Sequence, residues 1–463
     1  MNSSWINKFF ITVLFFAATI NYYAQEDAIN NFMVSLISNH RTAGAAIAVE
    51  RNSRLLFKKN YGYSDLKNKI PVTDTTQFNI MSITKNFVAV AVMQLADKKE
   101  INLDSPITKY LSGLPTRYDN VLVYQLLNHS SGIPDYVHVK GYMKHADRKQ
   151  KPMEILKTII NQTLEFNPGD KTSYSNSNYF LLGLIIEKVS GMKLDKYLRT
   201  NIFKPAGMKN TYLETTHSNN SKTRGYVVEN DSLIEISPLD PSQYWAAGGI
   251  VSTLNDMIKW DNALGNGSIL PSNEIYQMIQ PVKLNNGSPG DYGLGYELMN
   301  SPDMKIAGNN GVGLGYNASY IRFLNDSVTV IVLTNTTNSN SSMIAKNIHD
   351  IVTGASKDES MSIKMESKKD KLDSLVINII TDAEASVINT KYFENTETAE
   401  KFRNDMIEYI KTKGKLKGIF NQGEKINTAS IVRKYKIDFE NGSAIWVIIF
   451  SKGNKILVVN RMQ

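Results

Sequence analysis

Serine and lysine residues spaced three apart are the first feature of this sequence that could do chemistry. Three such pairs occur: Ser64 with Lys67, Ser82 with Lys85, and Ser190 with Lys193. Residues three apart share one face of a helical turn, so the amine can reach the hydroxyl, and an amine desolvated by burial can accept its proton. Only Ser82 opens a strongly apolar helical segment. The pattern therefore predicts a nucleophile at Ser82, although a serine in that place is by itself typical of a helix N-cap.

The composition excludes several other chemistries. The chain of 463 residues has no cysteine, which removes thiol nucleophiles, iron–sulfur clusters and cysteine-bound zinc. Its six histidines form no H-E-x-x-H pattern, and no P-loop, G-x-G-x-x-G loop or G-x-S-x-G turn occurs. The formal charge of +8 is spread among acidic residues, so a nucleic-acid partner is not expected. The sequence implies neither a metal nor an organic cofactor.

Two predicted hairpins and a buried helix would position the nucleophile. Residues Ala43–Glu50 and Leu55–Tyr61 flank a turn-forming Arg-Asn-Ser-Arg sequence. Residues Ala318–Phe323 and Val328–Leu333 form a second pair of the same kind. The patterns between them are mostly helical, and Asn86–Lys98 is apolar on every side, as in a helix at the centre of a domain. Strands at both ends of this region predict one sheet that the returning chain completes, in an α+β fold.

The first 24 residues have the pattern of an export signal. Lys8 is the only charge ahead of an apolar run from Phe9 to Ile20, and cleavage would follow Ala24. This run is short of the roughly 20 residues that a spanning helix needs, although a permanent membrane anchor is the alternative. We expect a periplasmic or secreted protein with no stable membrane span after removal of the signal.

Composition further divides the chain behind this signal. The predicted parts are a catalytic domain over residues 25–355, a linker rich in Lys, Asp, Glu and Ser over 356–374, and a small α+β domain over 375–463. In the last of these, Leu375–Lys413 is helical in pattern. Three alternating runs within Ser430–Val459 are separated by Asn441-Gly442 and Gly453-Asn454, which predict hairpin turns.

Six segments resemble the serine β-lactamase and penicillin-binding-protein superfamily, in its class C-like branch with D-aminopeptidases, D,D-peptidases and family VIII esterases. The segments are Phe78–Lys85 (FNIMSITK), Leu126–Ile133 (LLNHSSGI), Phe166–Asn176 (FNPGDKTSYSN), Tyr179–Gly191 (YFLLGLIIEKVSG), Ala246–Thr253 (AAGGIVST) and Tyr292–Tyr296 (YGLGY). The resemblance spans roughly residues 28 to 353 and leaves out the C-terminal domain. It implies an antiparallel sheet flanked by helices, an inserted, mostly helical subdomain, and an acyl-enzyme on Ser82.

The family's second motif, Y-x-N, is matched by Tyr174-Ser175-Asn176. The resemblance implies that Tyr174 shares proton transfer with Lys85 and that Asn176 holds Lys85 and a substrate carbonyl. A tyrosine near lysine charges can be shifted toward its phenolate and act as a base. Without Ser82, the same two residues would be interpreted as a loop tyrosine and a turn asparagine. The predicted catalytic residues are thus Ser82, Lys85, Tyr174 and Asn176.

The third motif, K-T-G or H-x-G in the family, corresponds here to a glycine-rich stretch over residues 308–316. Asn309 stands where a lysine or histidine is expected, and its amide supplies no positive charge for a substrate carboxylate. Gly311 would let the strand approach closely, and the N–H of Val312 would complete an oxyanion hole with that of the nucleophile. With Asn310, these are the predicted substrate-binding residues. A simple glycine-rich turn is the alternative.

The sequence therefore predicts an exported serine hydrolase. Without a cation at Asn309, an esterase or peptidase on small D-amino-acid or peptidoglycan-derived substrates is favoured over a strong β-lactamase. A class C-like β-lactamase is one alternative, and an inactive relative that binds cell-wall fragments is another. His129 is expected to satisfy backbone groups in a buried turn rather than to catalyse.

Overall fold

The computed structural model describes residues 24–145, 148–214, 223–229, 232–237, 239–299, 304–355, 372, 375–376, 379–380, 390–414, 416–426, 430–451, 453 and 455–462. They belong to two compact units that divide between Thr353 and Gly354. The predicted export signal, apart from Ala24, and positions 356–371 of the predicted linker lie outside the described residues. Within the described residues, no helix is both long and apolar enough to cross a membrane.

The first unit is organised around an antiparallel sheet. The described strands of the whole unit are β1 (Gly44–Arg51), β2 (Arg54–Asp65), β3 (Ile70–Pro71), β4 (Phe78–Asn79), β5 (Tyr212–Leu213), β6 (Gly225–Glu229), β7 (Ser232–Ile236), β8 (Ile250–Ser252), β9 (Glu297–Leu298), β10 (Ile306–Gly313), β11 (Tyr316–Phe323) and β12 (Val328–Thr334). Seven of the described strands form the main sheet in the order β3-β2-β1-β12-β11-β10-β9. Every neighbouring pair in it is antiparallel.

Both predicted hairpins of this sheet are confirmed. β1 and β2 meet at Asn52 and Ser53, whose φ angles of 50° and 57° suit a tight two-residue hairpin turn. β11 and β12 form the second hairpin. β1 also pairs with β12, from Ala45 opposite Thr334 to Arg51 opposite Val328, so the returning chain completes the sheet. The predicted α+β fold class is therefore correct.

Helices flank the sheet and fill the region between its two hairpins. They are α1 (24–38), α2 (Thr84–Asp97), α3 (Val123–Leu127), α4 (Pro152–Ile160), α5 (Asn176–Ser190), α6 (Leu194–Leu198), α7 (Trp245–Gly248), α8 (Leu254–Gly265), α9 (Ser272–Met278) and α10 (Ser341–Thr353). The predicted central helix is α2, and its residues from Phe87 to Met93 are all buried. A helix that is apolar all round can bury every face in this way, so α2 forms a fixed support for the residues that precede it.

A small second sheet lies next to the start of α2. β8 pairs with β4, which places Phe78 opposite Ser252 and Asn79 opposite Val251, and it pairs with β5 on its other side. The N–H of Ile250 also donates to the hydroxyl of Thr84 over 3.0 Å. These bonds join the segment before α2 to the chain that follows α7.

The second unit contains a four-stranded antiparallel sheet and a helix, within the residues described there. The strands are β13 (Leu416–Ile426), β14 (Ser430–Phe439), β15 (Gly442–Ser451) and β16 (Ile456–Met462), paired in that order, and the helix is α11 (Thr396–Lys413). Phe402, Tyr435 and Trp446 are buried in its hydrophobic core. Leu372, from the end of the predicted linker, is helical and buried in the same core.

Two predictions for this unit need correction. The sequence predicts three strands, and these are β14, β15 and β16, but β13 was not predicted. The single helical pattern over Leu375–Lys413 is interrupted, because a short 3-10 turn occupies Thr390–Tyr392 and α11 begins only at Thr396. The side chain of Asn395 caps α11 by accepting a hydrogen bond from the Thr398 N–H over 2.8 Å. A capping asparagine favours a new helix start, which a helical pattern by itself does not reveal.

Candidate active site

Ser82 lies in a short 3-10 turn, Met81–Ile83, that leads directly into α2. Met81 has a φ of 48°, a left-handed conformation that is strained for a residue with a side chain. Its N–H donates to Asn79 Oδ1 over 2.8 Å, which fixes the turn to β4. The N-cap alternative for Ser82 is wrong, because α2 has no side-chain cap.

Lys85 lies one turn into α2 and is 1% exposed. Its Nζ donates to Ser82 Oγ over 3.1 Å, to Asn176 Oδ1 over 2.8 Å and to the carbonyl oxygen of Ala247 over 2.7 Å. Burial lowers the pKa of Lys85 to about 7, against a smaller opposing effect of the Asp135 carboxylate. A large fraction of this amine is therefore neutral at pH 7 and can accept a proton from the hydroxyl it contacts.

Tyr174 and Asn176 complete the predicted catalytic residues, and the structure brings all four together. The hydroxyl of Tyr174 lies 2.6 Å from Ser82 Oγ. Asn176 begins α5, accepts from Lys85 and donates from Nδ2 to Asp135 Oδ2 over 2.8 Å. Its amide therefore links the buried amine to a carboxylate on a separate loop.

The expected shift of Tyr174 toward its phenolate is wrong. Although the side chain is 41% exposed, burial around its hydroxyl raises the pKa of Tyr174 above the ordinary value, and the nearby carboxylates of Asp135 and Glu297 raise it further. The hydrogen bond with Ser82 lowers it less than burial raises it. Tyr174 is therefore a neutral phenol at pH 7, and the basic group beside Ser82 is Lys85.

His129 satisfies a backbone group in a buried turn, as the sequence predicts, and its ring lies next to that of Tyr174. It is fully buried, and its Nδ1 accepts a hydrogen bond from the Ser175 N–H over 3.2 Å. Its ring centroid lies 4.7 Å from that of Tyr174 and 4.9 Å from that of Tyr292. Burial keeps the pKa of His129 well below its usual range, and the charge of Lys85 lowers this pKa further, to a smaller extent. The imidazole is therefore neutral. It orients the Y-x-N segment.

The third motif is the strand β10, which runs beside the nucleophile turn. A Cβ at Gly311 would overlap the carbonyl oxygen of Ile80, so a glycine is required for this approach. The alternative of a glycine-rich turn is therefore wrong for residues 306–313, which form a strand paired with β11. Val312 follows Gly311, and its side chain is 59% exposed. Its N–H remains the predicted second oxyanion donor.

Asn309 lines the pocket beside Ser82, but its amide bonds to the protein itself. It is 7% exposed, its Nδ2 donates to the Gly295 carbonyl oxygen over 3.1 Å, and its Oδ1 accepts from the Glu297 N–H over 3.1 Å. Asn310 also lines the pocket and accepts from the Ser319 hydroxyl over 2.7 Å. At the position where the sequence resemblance leads one to expect a cation, this chain has a neutral amide that joins β10 to Gly295 and to the first residue of β9.

A small pocket adjoins Ser82. Its lining residues are Ser82, Lys85, His129, Tyr174, Tyr179, Tyr292, Gly295, Glu297, Asn309 and Asn310. Sequence reasoning missed Asp135 and Glu297, although Asp135 follows the LLNHSSGI segment by two residues and Glu297 follows YGLGY directly. Neither carboxylate belongs to a motif, so only their distance from the matched segments could have indicated them. Among the described residues, no group of three His, Asp or Glu side chains could hold a metal ion.

Comparison with known proteins gives a family match over most of the first unit. Residues 26–355 match the protein-family model described as Beta-lactamase. Penicillin-binding protein 4* of Bacillus subtilis (strain 168) is 30% identical over 317 residues, which are 65% of this chain and 70% of that protein. The resemblance deduced from the six sequence segments is confirmed.

Solved structures extend this likeness to the fold. The D-amino acid amidase from Ochrobactrum anthropi SV3, complexed with D-phenylalanine, is 25% identical, with a TM-score of 0.63 over 72% of this chain and 99% of that chain. The octameric penicillin-binding protein homologue from Pyrococcus abyssi is 21% identical, with a TM-score of 0.63 over 94% of this chain and 99% of that chain. The second likeness concerns the fold alone, and it extends over more of this chain than the first.

Proposed function

Because this chain belongs to the beta-lactamase family and is a serine hydrolase of that fold, we propose that it cleaves small amides or esters through an acyl-enzyme on Ser82. D-amino-acid or peptidoglycan-derived compounds are the proposed substrates. The observation that carries this is the pair of hydrogen bonds at Ser82 Oγ, 3.1 Å from Lys85 Nζ and 2.6 Å from the hydroxyl of Tyr174. A hydroxyl between a buried amine and a phenol can lose its proton as it attacks a carbonyl.

The proton of Ser82 moves to the neutral amine of Lys85 as the oxygen bonds to the substrate carbonyl carbon. When the bond to the leaving nitrogen or oxygen breaks, the leaving group takes a proton from the phenol of Tyr174. The proton held by the ammonium of Lys85 replaces it on the phenol. In deacylation, water gives a proton to the same amine and attacks the ester carbon, and Ser82 departs with a proton from Lys85. A pKa of about 7 suits Lys85 for both directions, since both of its forms are populated at neutral pH.

The tetrahedral intermediate carries its negative charge on the former carbonyl oxygen. We assign its stabilisation to the backbone N–H groups of Ser82 and Val312, because β10 lies against the turn that contains the nucleophile. The role of Asn176 is to position Lys85, since its Oδ1 accepts from that amine.

The proposed substrate class follows from Asn309 and from the relatives. The Asn309 amide is neutral, and both of its polar atoms are bonded to backbone groups. It therefore supplies no positive charge to anchor a substrate carboxylate. The resemblance to the superfamily implies that recognition of β-lactams uses such a charge. A D-amino acid amidase is among the similar structures. These observations favour amide or ester hydrolysis over strong β-lactamase activity, which is the alternative outcome of a substrate panel.

Export is part of the same proposal. The charge and apolar pattern of residues 1–24 supports removal of a signal after Ala24 and a periplasmic or secreted enzyme. Substrates from the cell wall would be available in those places. A comparison of the N-terminal residue of the mature protein with Gln25 tests the cleavage position.

The nucleophile can be tested by covalent labelling. A fluorescent fluorophosphonate should label the purified protein on Ser82. Ser82→Ala should abolish this labelling and lower the rate of hydrolysis of a neutral activated ester by several orders of magnitude. Ser190→Ala is the matched control, because Ser190 also precedes a lysine by three positions but bonds to the Ile186 carbonyl oxygen on α5. Labelling that persists in Ser82→Ala would identify another nucleophile. A wild-type protein that binds cell-wall fragments without labelling would instead be an inactive relative.

A further inference from the structure

Glu297 places a carboxylate in the catalytic pocket, and no sequence motif predicted it. The residue begins β9, where it pairs with Gly308, and its N–H donates to Asn309 Oδ1 over 3.1 Å. Its backbone is therefore fixed next to the strand that lines the site. The carboxylate is close enough to raise the pKa of the Tyr174 and Tyr292 hydroxyls, and the first of these contacts Ser82.

The carboxylate of Glu297 has no countercharge among the residues that the structure describes. It forms no ion pair or side-chain hydrogen bond with them, and both influences on its pKa, burial and then the charge of Asp291, raise that pKa. Lys85 is the cation of the same pocket, but its three hydrogen bonds go to Ser82, Asn176 and Ala247. A half-buried carboxylate without a partner gains strongly from a cation that enters the pocket.

Aromatic side chains provide the rest of an environment suited to a cation. Tyr174, Tyr179 and Tyr292 line the pocket together with Glu297. The faces of aromatic rings attract ammonium groups, and the attraction grows when both are partly desolvated. Asn309, which replaces the expected lysine or histidine, adds no positive charge that would compete with an incoming cation. The amine of Lys85 already lies over the Tyr174 and Tyr179 rings. Apart from Lys85, the ionisable acid or base that lines the pocket with a charge to offer is Glu297, and a carboxylate there disfavours an anionic substrate.

We propose that Glu297 binds a protonated amine of the substrate, so that this site selects acyl donors with a free ammonium group near the scissile carbonyl and disfavours donors with a carboxylate there. The inference rests on the proposed acyl-enzyme at Ser82 and names the substrate class for that site. Amides and esters of amino acids with an unblocked α-amine fit this description. N-blocked and N-succinylated versions of the same compounds do not.

Three alanine p-nitroanilides, each in both enantiomers, test this selection at pH 7. They differ only at the amine, which is free and cationic, acetylated and neutral, or succinylated and anionic. The wild-type kcat/KM should be highest for the free amine and lowest for the succinyl compound. Glu297→Gln should lower kcat/KM for the free amine by about ten- to a hundredfold, the usual effect of losing one charge-assisted hydrogen bond. The same variant should change kcat/KM for the acetyl compound far less than for the free amine, and it should improve the succinyl compound.

Asp291→Asn is the matched control, because it removes an equal charge from an exposed position near Glu297 and should leave the substrate order unchanged. Equal effects of Glu297→Gln on all three compounds, or a wild-type preference for the acetyl or succinyl compound, would overturn the inference. The wild-type order alone decides the matter if the variant does not fold. Hydrolysis through Ser82 without preference for the free amine overturns only the role of Glu297, whereas a wild type that cleaves no amide or ester overturns the proposed function as well.

Discussion

Two opposing effects set the charge of the Lys85 amine. Burial in α2 disfavours the ammonium form, and the Asp135 carboxylate, reached through Asn176, favours it. Burial is the larger effect, and the pKa falls to about 7. The amine that contacts Ser82 therefore changes its charge within the pH range in which most enzymes work, whereas the phenol of Tyr174 stays protonated throughout that range.

We expect kcat/KM for a neutral ester to rise with pH through about 7 and then to level off, because only the neutral amine of Lys85 can accept the proton of Ser82. Asp135→Asn should move this rise to lower pH, since it removes the charge that favours the ammonium form and keeps an acceptor for Asn176. The pH profile of each protein gives the measurement. Asp119→Asn, at an exposed position, should leave the profile in place, and an unshifted profile for Asp135→Asn would contradict the assignment.

The spacing of motif residues predicts which side chains form this site better than it predicts the charges of those side chains. Ser82, Lys85, Tyr174 and Asn176 could be predicted, because each belongs to a short pattern with a fixed chemical role. Glu297, which lines the pocket, and Asp135, which accepts from Asn176, could not, since loop and strand geometry that no short pattern encodes brings them there. The protonation of Tyr174 was wrongly predicted because it depends on burial and on those two carboxylates.

At the level of secondary structure elements, the close contact between β10 and the nucleophile turn depends on glycine residues. Gly311 faces the carbonyl oxygen of Ile80, whereas Gly313 faces the side chain of Met81. A backbone group cannot move aside as a flexible methionine side chain can. Two glycines on one strand are therefore expected to differ in their tolerance of a methyl group.

Gly311→Ala should displace β10 from the turn, lower kcat for a neutral ester and destabilise the protein by about 1–3 kcal/mol, as overpacking typically does. Gly313→Ala should have a smaller effect on both quantities, because the Met81 side chain can adopt another rotamer. Thermal unfolding and steady-state kinetics measured on both variants give the comparison. Equal losses in the two variants would show that the approach of Gly311 to Ile80 is not what fixes the strand.

A second contact between elements contains a buried acid. Glu50 on β1 is 1% exposed, and its Oε1 accepts from Asn262 Nδ2 on α8 over 3.0 Å, while its Oε2 has no partner within the described residues. Burial, followed by the charge of Asp261, raises the pKa of Glu50 to about 7. The folded protein therefore binds a proton here that the unfolded chain releases at lower pH.

The contribution of this proton to the free energy of unfolding is fully present below about pH 4.5, the pKa of Glu50 in the unfolded chain. It is lost as the pH rises through about 7, the pKa of Glu50 in the folded protein. Glu50→Gln, which mimics the protonated acid, should remove that loss. The Tm of the wild type relative to the variant should fall between pH 5 and pH 8. Glu100→Gln, an exposed control, should show no such trend, and a constant difference for Glu50→Gln would mean that Glu50 is ionised in the folded protein.

The sequence predicts those elements that combine a regular pattern of apolar residues with turn residues at both ends of the pattern. β1 with β2, and β14 with β15, had alternating or apolar runs bounded by turn residues, and these runs formed the expected hairpins. β13 was missed, because its LKGIFNQGEKI sequence alternates poorly and has two glycines. Its pairing with β14 is a tertiary interaction that supplies what local sequence does not.

On the scale of the whole molecule, the described residues form three hydrophobic core clusters in two compact units. Two of them belong to the first unit: one includes α2, and the other packs α1 and α10 against the main sheet. The third belongs to the second unit and includes Phe402, Tyr435 and Trp446. Each core lies within residues of a single unit. The predicted catalytic residues all belong to the first unit, which is also the part matched by the family model.

Limited trypsin digestion should cut first between residues 356 and 373, where the sequence is rich in lysine and poor in apolar residues. The N-terminal fragment should remain folded and keep Ser82-dependent labelling, because its core does not need residues of the second unit. Mass spectrometry of the fragments and fluorophosphonate labelling after size-exclusion chromatography give the measurement. A released fragment that aggregates or no longer labels would show that the second unit covers apolar surface of the first.

Met81 has a consequence for how this protein would respond to selection. Its left-handed backbone costs about 1–3 kcal/mol, and its side chain lies against β10 beside the nucleophile. Glycine or asparagine adopts this conformation at lower cost. In a mutant library selected for thermal endurance alone, these residues should accumulate at position 81, whereas selection for turnover should keep a side chain that contacts the strand. The residue found there in an evolved lineage would therefore indicate which of the two pressures had acted on it.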